Sequence, residues 1–162
     1  MAVTYARCPS PVGELILAAS ENALTAVYFP TSRGLPQVEP GSQVNDVLLR
    51  AKAQLSEYFA RTRTTFDLPL DPGGSAFERR VWEALRRIPY GATVSYGELA
   101  RRLGEVRATR AVGAANAKNP IPVIVPCHRV VGSRGELVGF GGGLDRKRWL
   151  LEHEGALMML GG

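Results

Sequence analysis

The chain has 162 residues, of which 45% are hydrophobic, and a formal net charge of +5 at pH 7. This length is enough to bury the core of one domain or of two small ones. No stretch approaches the roughly 20 consecutive apolar residues of a membrane span, and the N-terminus does not have the pattern of a secretory signal. We therefore expect a globular, cytoplasmic protein with no membrane partner, in which Cys8 and Cys127 are free thiols.

The positive charge is concentrated in the second half of the chain. Residues 1–74 carry six basic and seven acidic side chains, whereas residues 75–162 carry fourteen basic and eight acidic ones. Most of the basic residues are arginines, which can bind a phosphate group through two hydrogen bonds. The charge indicates either a phosphate-rich partner or simply a solvated surface.

The first half of the sequence predicts a small α/β domain. Two apolar runs, 13–19 and 23–29, are separated by three polar residues, which is the pattern of a hairpin. Residues 31–43 are rich in Pro, Gly and polar side chains and indicate a loop. Apolar residues then recur at helical spacing over 44–59, and residues 62–75 predict a strand that runs into a linker.

The second half, residues 75–162, begins with a helix-start pattern, so we place a domain boundary after residue 74. Ser75 is followed three residues later by Glu78, the spacing of a capping box, and an apolar stripe at helical spacing accompanies it. That stripe consists of Phe77, Val81, Trp82, Leu85 and Ile88. A short extended segment is predicted at 92–95.

Two short helices are predicted next, over 95–104 and 108–119, joined by a short turn. The spacing fits a helix-turn-helix motif or an ordinary helical hairpin. The second helix has almost no bulky side chains and contains Gly113, which costs about 1 kcal/mol relative to Ala in a helix. Such a smooth helix can press against another backbone or the wall of a nucleic-acid groove, while Arg107, Arg110 and Lys118 reach phosphates or bases.

One of the two cysteines, Cys127, precedes one of the two histidines, His128. Residues 121–125 are apolar and β-branched, so we expect a buried strand or extended segment that leads to Cys127. A thiol becomes a good nucleophile only when it loses its proton, which His128 could accept, with Glu152 or Glu154 fixing the imidazole tautomer. A buried, inert cysteine is the alternative. Zinc is not indicated, because these residues lack ligand spacing.

These motifs occur together in the order of one protein family. The segments that carry the resemblance are "SYGELA", "RAVGAANAKNPIPVIV", "VPCHRVV" and "GFGGGLDRKRWLLEHEG". Over residues 75–155 the chain closely resembles the O6-alkylguanine-DNA alkyltransferases, also called methylated-DNA-protein-cysteine methyltransferases. The first half is similar through its length and the segment "PVGELILAAS".

The resemblance implies a fold and a reaction. The fold is an α/β N-terminal domain with a ribonuclease-H-like sheet and a helix, followed by a mostly α C-terminal domain with a winged-helix-like helix-turn-helix. The reaction is DNA repair by direct reversal. The alkyl group of O6-alkylguanine passes irreversibly to Cys127 in a single turnover without a cofactor, and O4-alkylthymine is a further candidate substrate. The implied partner is double-stranded DNA, bound in the minor groove by a monomer that rotates the damaged base out of the stack.

The resemblance also implies roles for individual residues. His128 accepts the Cys127 proton through a water molecule, Glu154 orients His128, Tyr96 donates to guanine N3, and Asn119 supports the turn that carries Cys127. The expected DNA contacts are Arg110, which fills the stack, and Ala111, Gly113, Ala114, Ala117, Lys118 and Arg129. The expected substrate pocket consists of Tyr96, Pro122, Val130, Phe140, Gly141 and Gly142.

The chain departs from the family pattern at two places. Phe140 stands where many members have Tyr, and Gly141 follows it, so a hydroxyl group is lost beside the site. The N-terminal zinc site of some members is not indicated, because Cys8 stands alone there. We therefore expect no metal ion.

Three other functions fit part of the pattern. A non-catalytic protein that flags alkyl lesions for excision repair would share the domain but replace Cys127. A helix-turn-helix regulator that senses alkylation would need a further domain. A Cys-His hydrolase would leave the Ala-rich helix and Arg110 without a role.

Overall fold

The computed structural model describes residues 3–38 and 44–157. It divides the chain into two compact units, residues 1–73 and 74–162, next to the boundary predicted after residue 74. The first unit contains a β-sheet and one long helix, and the second is mostly helical. Among the helices of the described residues, none has the length and hydropathy needed to cross a bilayer.

The first unit contains three strands, β1 (Thr4–Cys8), β2 (Leu15–Ala19) and β3 (Leu24–Tyr28). They form an antiparallel sheet in the order β1–β2–β3. The predicted hairpin is the β2–β3 pair. Strand β1 was not predicted, because five residues with only two buried side chains give little apolar periodicity.

One helix, α1 (Asp46–Phe59), completes this unit and packs on the sheet. Its N-cap is Asn45, whose side chain accepts a hydrogen bond from the Leu48 amide and donates one to the Ser20 carbonyl. The predicted loop at 31–43 has no helix or strand over residues 31–38, and its residues 39–43 lie outside the described part.

The strand predicted within residues 62–75 is wrong. Only a single bridge forms, between Leu24 and Leu70, because prolines interrupt the segment and cannot donate to a ladder. Instead, the Gln54 side chain donates to the Asp67 carbonyl at 3.0 Å and accepts from the Asp67 amide at 2.9 Å. These hydrogen bonds attach the segment to α1.

The second unit contains four α-helices, two short 3-10 helices and two very short strands among the described residues. Its elements are α2 (Ala76–Leu85), β4 (Val94–Ser95), α3 (Tyr96–Arg102), α4 (Thr109–Ala117), β5 (Val130–Val131) and α5 (Leu144–His153). Ser75 and Glu78 form the predicted capping box. Strands β4 and β5 pair in parallel, and α2, α3 and α4 pack against one another.

Residues 121–125 form a turn rather than the expected strand or extended segment. The Val125 amide donates to the Ile121 carbonyl at 2.9 Å, and Val123 has a φ of 72°. This left-handed conformation is costly for a β-branched residue, so the surrounding structure must impose it. The apolar side chains are nevertheless buried, which is why the composition resembled that of a core strand.

Candidate active site

Cys127 is the first residue of a 3-10 turn, Cys127–Arg129, that follows Pro126. Pro126 has φ −81° and ψ 65°, the geometry of an inverse γ-turn, and the Cys127 amide donates to the Val125 carbonyl at 2.8 Å. The cysteine is 6% exposed. Burial raises the pKa of its thiol to about 11, although hydrogen bonding by Asn119 and the charge of Lys147 oppose that rise. The thiol is therefore protonated at neutral pH and needs a base.

Asn119 holds the backbone that leads to the cysteine. Its Nδ2 donates to the Val125 carbonyl at 2.8 Å, and its Oδ1 accepts from the Ile121 amide at 3.0 Å. The geometry thus fits the support that the resemblance assigned to Asn119.

His128, Arg129 and Glu154 form a buried cluster next to Cys127. His128 Nε2 lies 2.8 Å from Glu154 Oε2, and the Arg129 guanidinium donates to both Glu154 oxygens at 2.8 and 3.0 Å. Burial alone would raise the pKa of Glu154, but the hydrogen bonds from His128 and Arg129 outweigh it and lower the pKa to about 2. Glu154 is therefore a carboxylate at neutral pH.

The charge on Glu154 determines the tautomer of His128. Burial lowers the pKa of His128, so its ring is neutral at neutral pH and carries one N–H. Because a carboxylate can only accept, that N–H is on Nε2, and Nδ1 holds the free lone pair. Nδ1 is buried and has no hydrogen-bond partner among the described residues. His128, the residue after Cys127, thus has a basic nitrogen, Nδ1, and a carboxylate that orients its ring.

The structure contradicts the DNA contact expected of Arg129. The residue is 6% exposed, and its third bond goes to the Ile88 carbonyl at 2.7 Å, while its guanidinium lies 5.8 Å from the ring centroid of Tyr90. A side chain held inside the protein in this way cannot reach a DNA phosphate. Arg129 instead supplies a permanent positive charge to Glu154.

Lys147 is a buried cation at a position where the sequence predicts no functional residue. It has no exposed surface, and its Nζ donates to the carbonyls of Val130 and Val138 at 2.6 and 2.7 Å. Burial lowers the pKa of Lys147 to about 8, and the charge of a Cys127 thiolate acts in the opposite direction. The available signal was its position in α5, one turn before the buried Leu150 and Leu151.

Tyr96 is the first residue of α3 and lies near Lys147. Its hydroxyl donates to the Val138 carbonyl at 3.3 Å, and the Lys147 Nζ lies 6.0 Å from its ring centroid. Burial raises the pKa of Tyr96, so the hydroxyl remains a donor at neutral pH. Gly139, with a φ of 53°, allows a close approach, since a Cβ there would lie 3.4 Å from the hydroxyl.

The α4 helix presents a smooth exposed face with a positive charge at each end. The exposed residues of that face are Arg110, Ala111, Ala114, Ala117 and Lys118. Gly113 is only partly exposed and lies against the Tyr96 ring. Five of the expected DNA contacts are therefore accessible together on one helix surface.

The remaining residues expected in the pocket differ in exposure. Pro122, Val130 and Gly142 are buried, Phe140 is partly exposed and Gly141 is exposed. Val130 contacts the site through its carbonyl, which accepts from Lys147. The Gly143 amide donates to the Phe140 carbonyl at 3.0 Å, which closes a turn before α5.

Two family models match the chain, and together they span nearly all of it. One is described as the 6-O-methylguanine DNA methyltransferase ribonuclease-like domain and matches residues 3–72. The other is the 6-O-methylguanine DNA methyltransferase DNA binding domain and matches residues 76–156.

Curated relatives named methylated-DNA–protein-cysteine methyltransferase match over most of the chain. A protein from Methanosarcina acetivorans is 45% identical over 153 residues, which are 94% of this chain and 98% of the relative. A protein from Mycolicibacterium paratuberculosis is 47% identical over 152 residues, which are 94% of this chain and 92% of the relative.

Solved structures give the same result. The crystal structure of Mycobacterium tuberculosis OGT in complex with DNA has a TM-score of 0.86 and 46% identity, and the match covers 94% of this chain and 93% of that one. An O6-methylguanine DNA methyltransferase from Methanococcus jannaschii has a TM-score of 0.66 and 30% identity over 90% of each chain. The resemblance seen in the sequence is confirmed, and this chain belongs to the 6-O-methylguanine DNA methyltransferase family.

Proposed function

We propose that this protein repairs DNA by transferring the alkyl group of O6-alkylguanine to Cys127. The observation that carries this proposal is the buried Glu154 carboxylate, which lies 2.8 Å from His128 Nε2 and so leaves Nδ1 as the basic nitrogen of the residue that follows a buried, protonated thiol. This is the arrangement that a Cys-His nucleophile requires. The curated relatives carry the name of the same activity.

The reaction is a single displacement. His128 accepts the thiol proton through a water molecule, and the sulfur then attacks the alkyl carbon. A C–S bond forms as the bond from that carbon to O6 breaks, and the electron pair remains on the departing guanine. Tyr96 donates a hydrogen bond to guanine N3, where part of that charge accumulates. The thioether is stable, so each protein molecule reacts once.

The DNA contacts follow from the exposed face of α4. Its alanines allow a close approach to the minor groove, Lys118 reaches a phosphate, and Arg110 occupies the space left by the rotated base. Rotation is needed because Cys127 is buried and cannot reach a base inside the duplex. The pocket that receives the rotated base is lined by Pro122, Val130 and residues 140–142. O4-alkylthymine is a second candidate occupant of this pocket.

We also propose the finer features of the fold. Residues 1–74 form a structural domain with a ribonuclease-H-like sheet, and residues 75–162 form the DNA-binding domain, with α3 and α4 as a winged-helix-like motif. The protein acts as a monomer in the cytoplasm, where the reducing environment keeps the Cys127 thiol free.

The test is the intact and peptide mass of the protein after mixing with an equimolar duplex that carries O6-methylguanine. The expected result is one added methyl group on the Cys127 peptide, with uptake that stops at one per protein. Cys127→Ala is expected to abolish uptake and retain binding to the duplex, whereas Cys8→Ala is the matched control and is expected to react normally.

Two outcomes would contradict the proposal. Methyl uptake by Cys127→Ala would refute the assignment of the nucleophile. Tight binding to the lesion without methyl uptake by the unmodified protein would indicate a protein that flags lesions for excision repair.

A further inference from the structure

One buried ammonium group joins two parts of the candidate site. The Nζ of Lys147, in α5, donates to the Val130 carbonyl at 2.6 Å and to the Val138 carbonyl at 2.7 Å. Val130 follows the turn that carries Cys127, and Val138 begins an irregular loop formed by residues 138–142. Lys147 therefore ties the 138–142 loop to the strand that follows the cysteine.

The composition of the 138–142 loop explains why it needs such a tie. Three of its five residues are glycines, which lose more conformational freedom on folding than other residues do. Val138 is 40% exposed and Phe140 is only partly buried, so burial of apolar side chains contributes little to the position of the loop. Hydrogen bonds to its backbone are therefore what holds it in one conformation.

A second cation of α5 holds the other end of the loop. Arg146 Nη1 donates to the Gly142 carbonyl at 2.9 Å, and the Gly143 amide donates to the Phe140 carbonyl at 3.0 Å. Arg146 is partly exposed, whereas Lys147 has no exposed surface. Water competes with the bond from Arg146 more than with the bonds from Lys147, so Lys147 provides the stronger tie.

An ammonium group is costly at this buried position unless its hydrogen bonds are needed. Removing a charged amine from water is unfavourable, and neutral carbonyls offset the lost solvation only in part. Burial accordingly lowers the pKa of Lys147 to about 8. A methionine has nearly the same length and would avoid the cost. The benefit that offsets it lies in fixing the two carbonyl groups.

The Val138 carbonyl accepts a second, weaker hydrogen bond from Tyr96. The Tyr96 hydroxyl lies 3.3 Å from this oxygen, which is beyond the usual range for an O–H donor, whereas Lys147 Nζ lies 2.7 Å from it. The charged ammonium is also the stronger donor. When the hydroxyl leaves Val138, the bond from Lys147 remains, so the loop keeps its position.

We propose that Lys147 is a positioning residue for alkyl transfer, which holds the 138–142 loop in place while the Tyr96 hydroxyl moves its hydrogen bond from the Val138 carbonyl to the base in the pocket. This inference rests on the proposed function. In this role Lys147 acts through the loop and Tyr96, and not on the reacting atoms.

Limited proteolysis tests the tie without DNA, because chymotrypsin cuts after Phe140 only when the loop opens. We expect Lys147→Met to speed this cleavage about tenfold and Tyr96→Phe to change it less than about twofold, since the bond from Lys147 remains. Arg148→Met, at an exposed position of α5, is the matched control and should be cut at the normal rate. Mass spectrometry follows the fragment that ends at Phe140.

Two results of the proteolysis would overturn the proposal. One is an unchanged rate of cleavage after Phe140 in Lys147→Met. The other is faster cleavage in Tyr96→Phe, which would mean that the hydroxyl holds the loop. The second result does not require Lys147→Met to fold, and thermal unfolding monitors the fold of both variants.

A kinetic comparison separates this role from an effect on the thiol. Iodoacetamide requires the Cys127 thiolate but no base in the pocket, whereas a duplex with O6-methylguanine requires both. At saturating duplex, we expect Lys147→Met to slow methyl uptake about tenfold more than it slows the reaction with iodoacetamide. Affinity for the duplex should change less than about twofold, because the exposed face of α4 is unaltered. Equal slowing of both reactions would overturn the proposal.

The unmodified protein separates the two hypotheses. If it takes up no methyl group from the duplex, the proposed function fails, and the positioning role fails with it. If it takes up the methyl group but Lys147→Met is cut after Phe140 at the normal rate, alkyl transfer stands and only the role given to Lys147 is overturned.

Discussion

At the scale of single residues, Arg129 determines the charge states of the buried cluster. A guanidinium is permanently protonated, and its two bonds to Glu154 keep that carboxylate ionised inside the protein. Because Arg129 already balances the carboxylate, His128 need not be charged, and burial lowers its pKa. The imidazole therefore remains available as a base.

Replacing Glu154 should lower the free energy of unfolding and reduce the dependence of that free energy on pH. Glu154→Gln leaves the guanidinium of Arg129 buried without its counter-charge, so we expect a loss of about 3–5 kcal/mol in the free energy of unfolding at pH 7. The pKa of Glu154 is lowered from 4.5 to about 2, so its contribution is present above pH 4.5 and is lost as the pH falls toward 2. Urea unfolding between pH 7 and pH 2 measures both effects.

The matched control for this change is Glu152→Gln, on the same helix. Within the described part of the chain, the Glu152 side chain makes one ion pair, a long one of 3.8 Å with Arg148 near the surface, so little stability should be lost. If the stability of Glu154→Gln remained as sensitive to acid as that of the unmodified protein, the buried cluster would not be the source of this acid sensitivity.

Lys147 should influence the acidity of the nucleophile. Its positive charge lowers the pKa of Cys127, which burial otherwise raises. We expect Lys147→Met to shift the pH profile of Cys127 alkylation by iodoacetamide to higher pH and to slow the reaction several-fold at pH 8. Mass spectrometry of the Cys127 peptide follows the reaction. Arg148→Met removes an exposed charge from the same helix, and a shift of equal size in that variant would refute a specific role for Lys147.

At the scale of elements, α4 has two faces with different requirements. Its buried face packs on α2, where the Trp82 indole donates to the Ala115 carbonyl at 2.8 Å. Its other face is exposed and carries alanines between Arg110 and Lys118. Small exposed side chains bury little apolar surface, so folding does not require a particular side-chain size on this face. We expect their small size to matter for the approach to DNA instead.

A larger side chain on that face should block DNA binding without unfolding the protein. We expect Ala114→Leu to weaken binding to a lesion-bearing duplex at least about tenfold, or ~1.4 kcal/mol, because the groove cannot accept the added bulk. Fluorescence anisotropy measures the affinity, and thermal unfolding monitors the fold. Ala53→Leu, at an exposed position of α1, is the control and should bind normally. Unchanged binding by Ala114→Leu would place the DNA surface elsewhere.

At the scale of the whole molecule, the charge is divided between the two units. The excess of positive charge lies in residues 75–162, which also contain Cys127 and the exposed face of α4. Binding to a polyanion releases counterions, so this asymmetry predicts an affinity that depends steeply on salt.

The salt dependence tests whether this charge contacts phosphates. The slope of log affinity against log salt changes by about 0.9 for each phosphate neutralised, so Lys118→Gln should reduce it by about 1. The same change at Lys52, in the first unit, should leave the slope unchanged. A flat dependence in the unmodified protein would mean that the basic half does not contact DNA.

Much of the fold could be predicted because its signals are local. The capping box of Ser75 and Glu78 and the β2–β3 hairpin each depend on a few neighbouring residues. The strand predicted within 62–75 failed because prolines interrupt the segment, and the side chain of Gln54, in α1, forms the hydrogen bonds of Asp67. The strand or extended segment expected at 121–125 failed for another reason: the Asn119 side chain holds the segment in a turn, and apolar composition alone does not distinguish a buried turn from a buried strand.

The sequence by itself determined the family, the order of the two domains and the identity of the candidate nucleophile, since these depend on motif order and composition. Only the tertiary structure decided which side chains meet. Residue chemistry left Glu152 and Glu154 open as the partner of His128, and the fold places Glu154 against it. It also turns Arg129 and Lys147 inward, where lost solvation is offset by carboxylate and carbonyl partners distant in the chain.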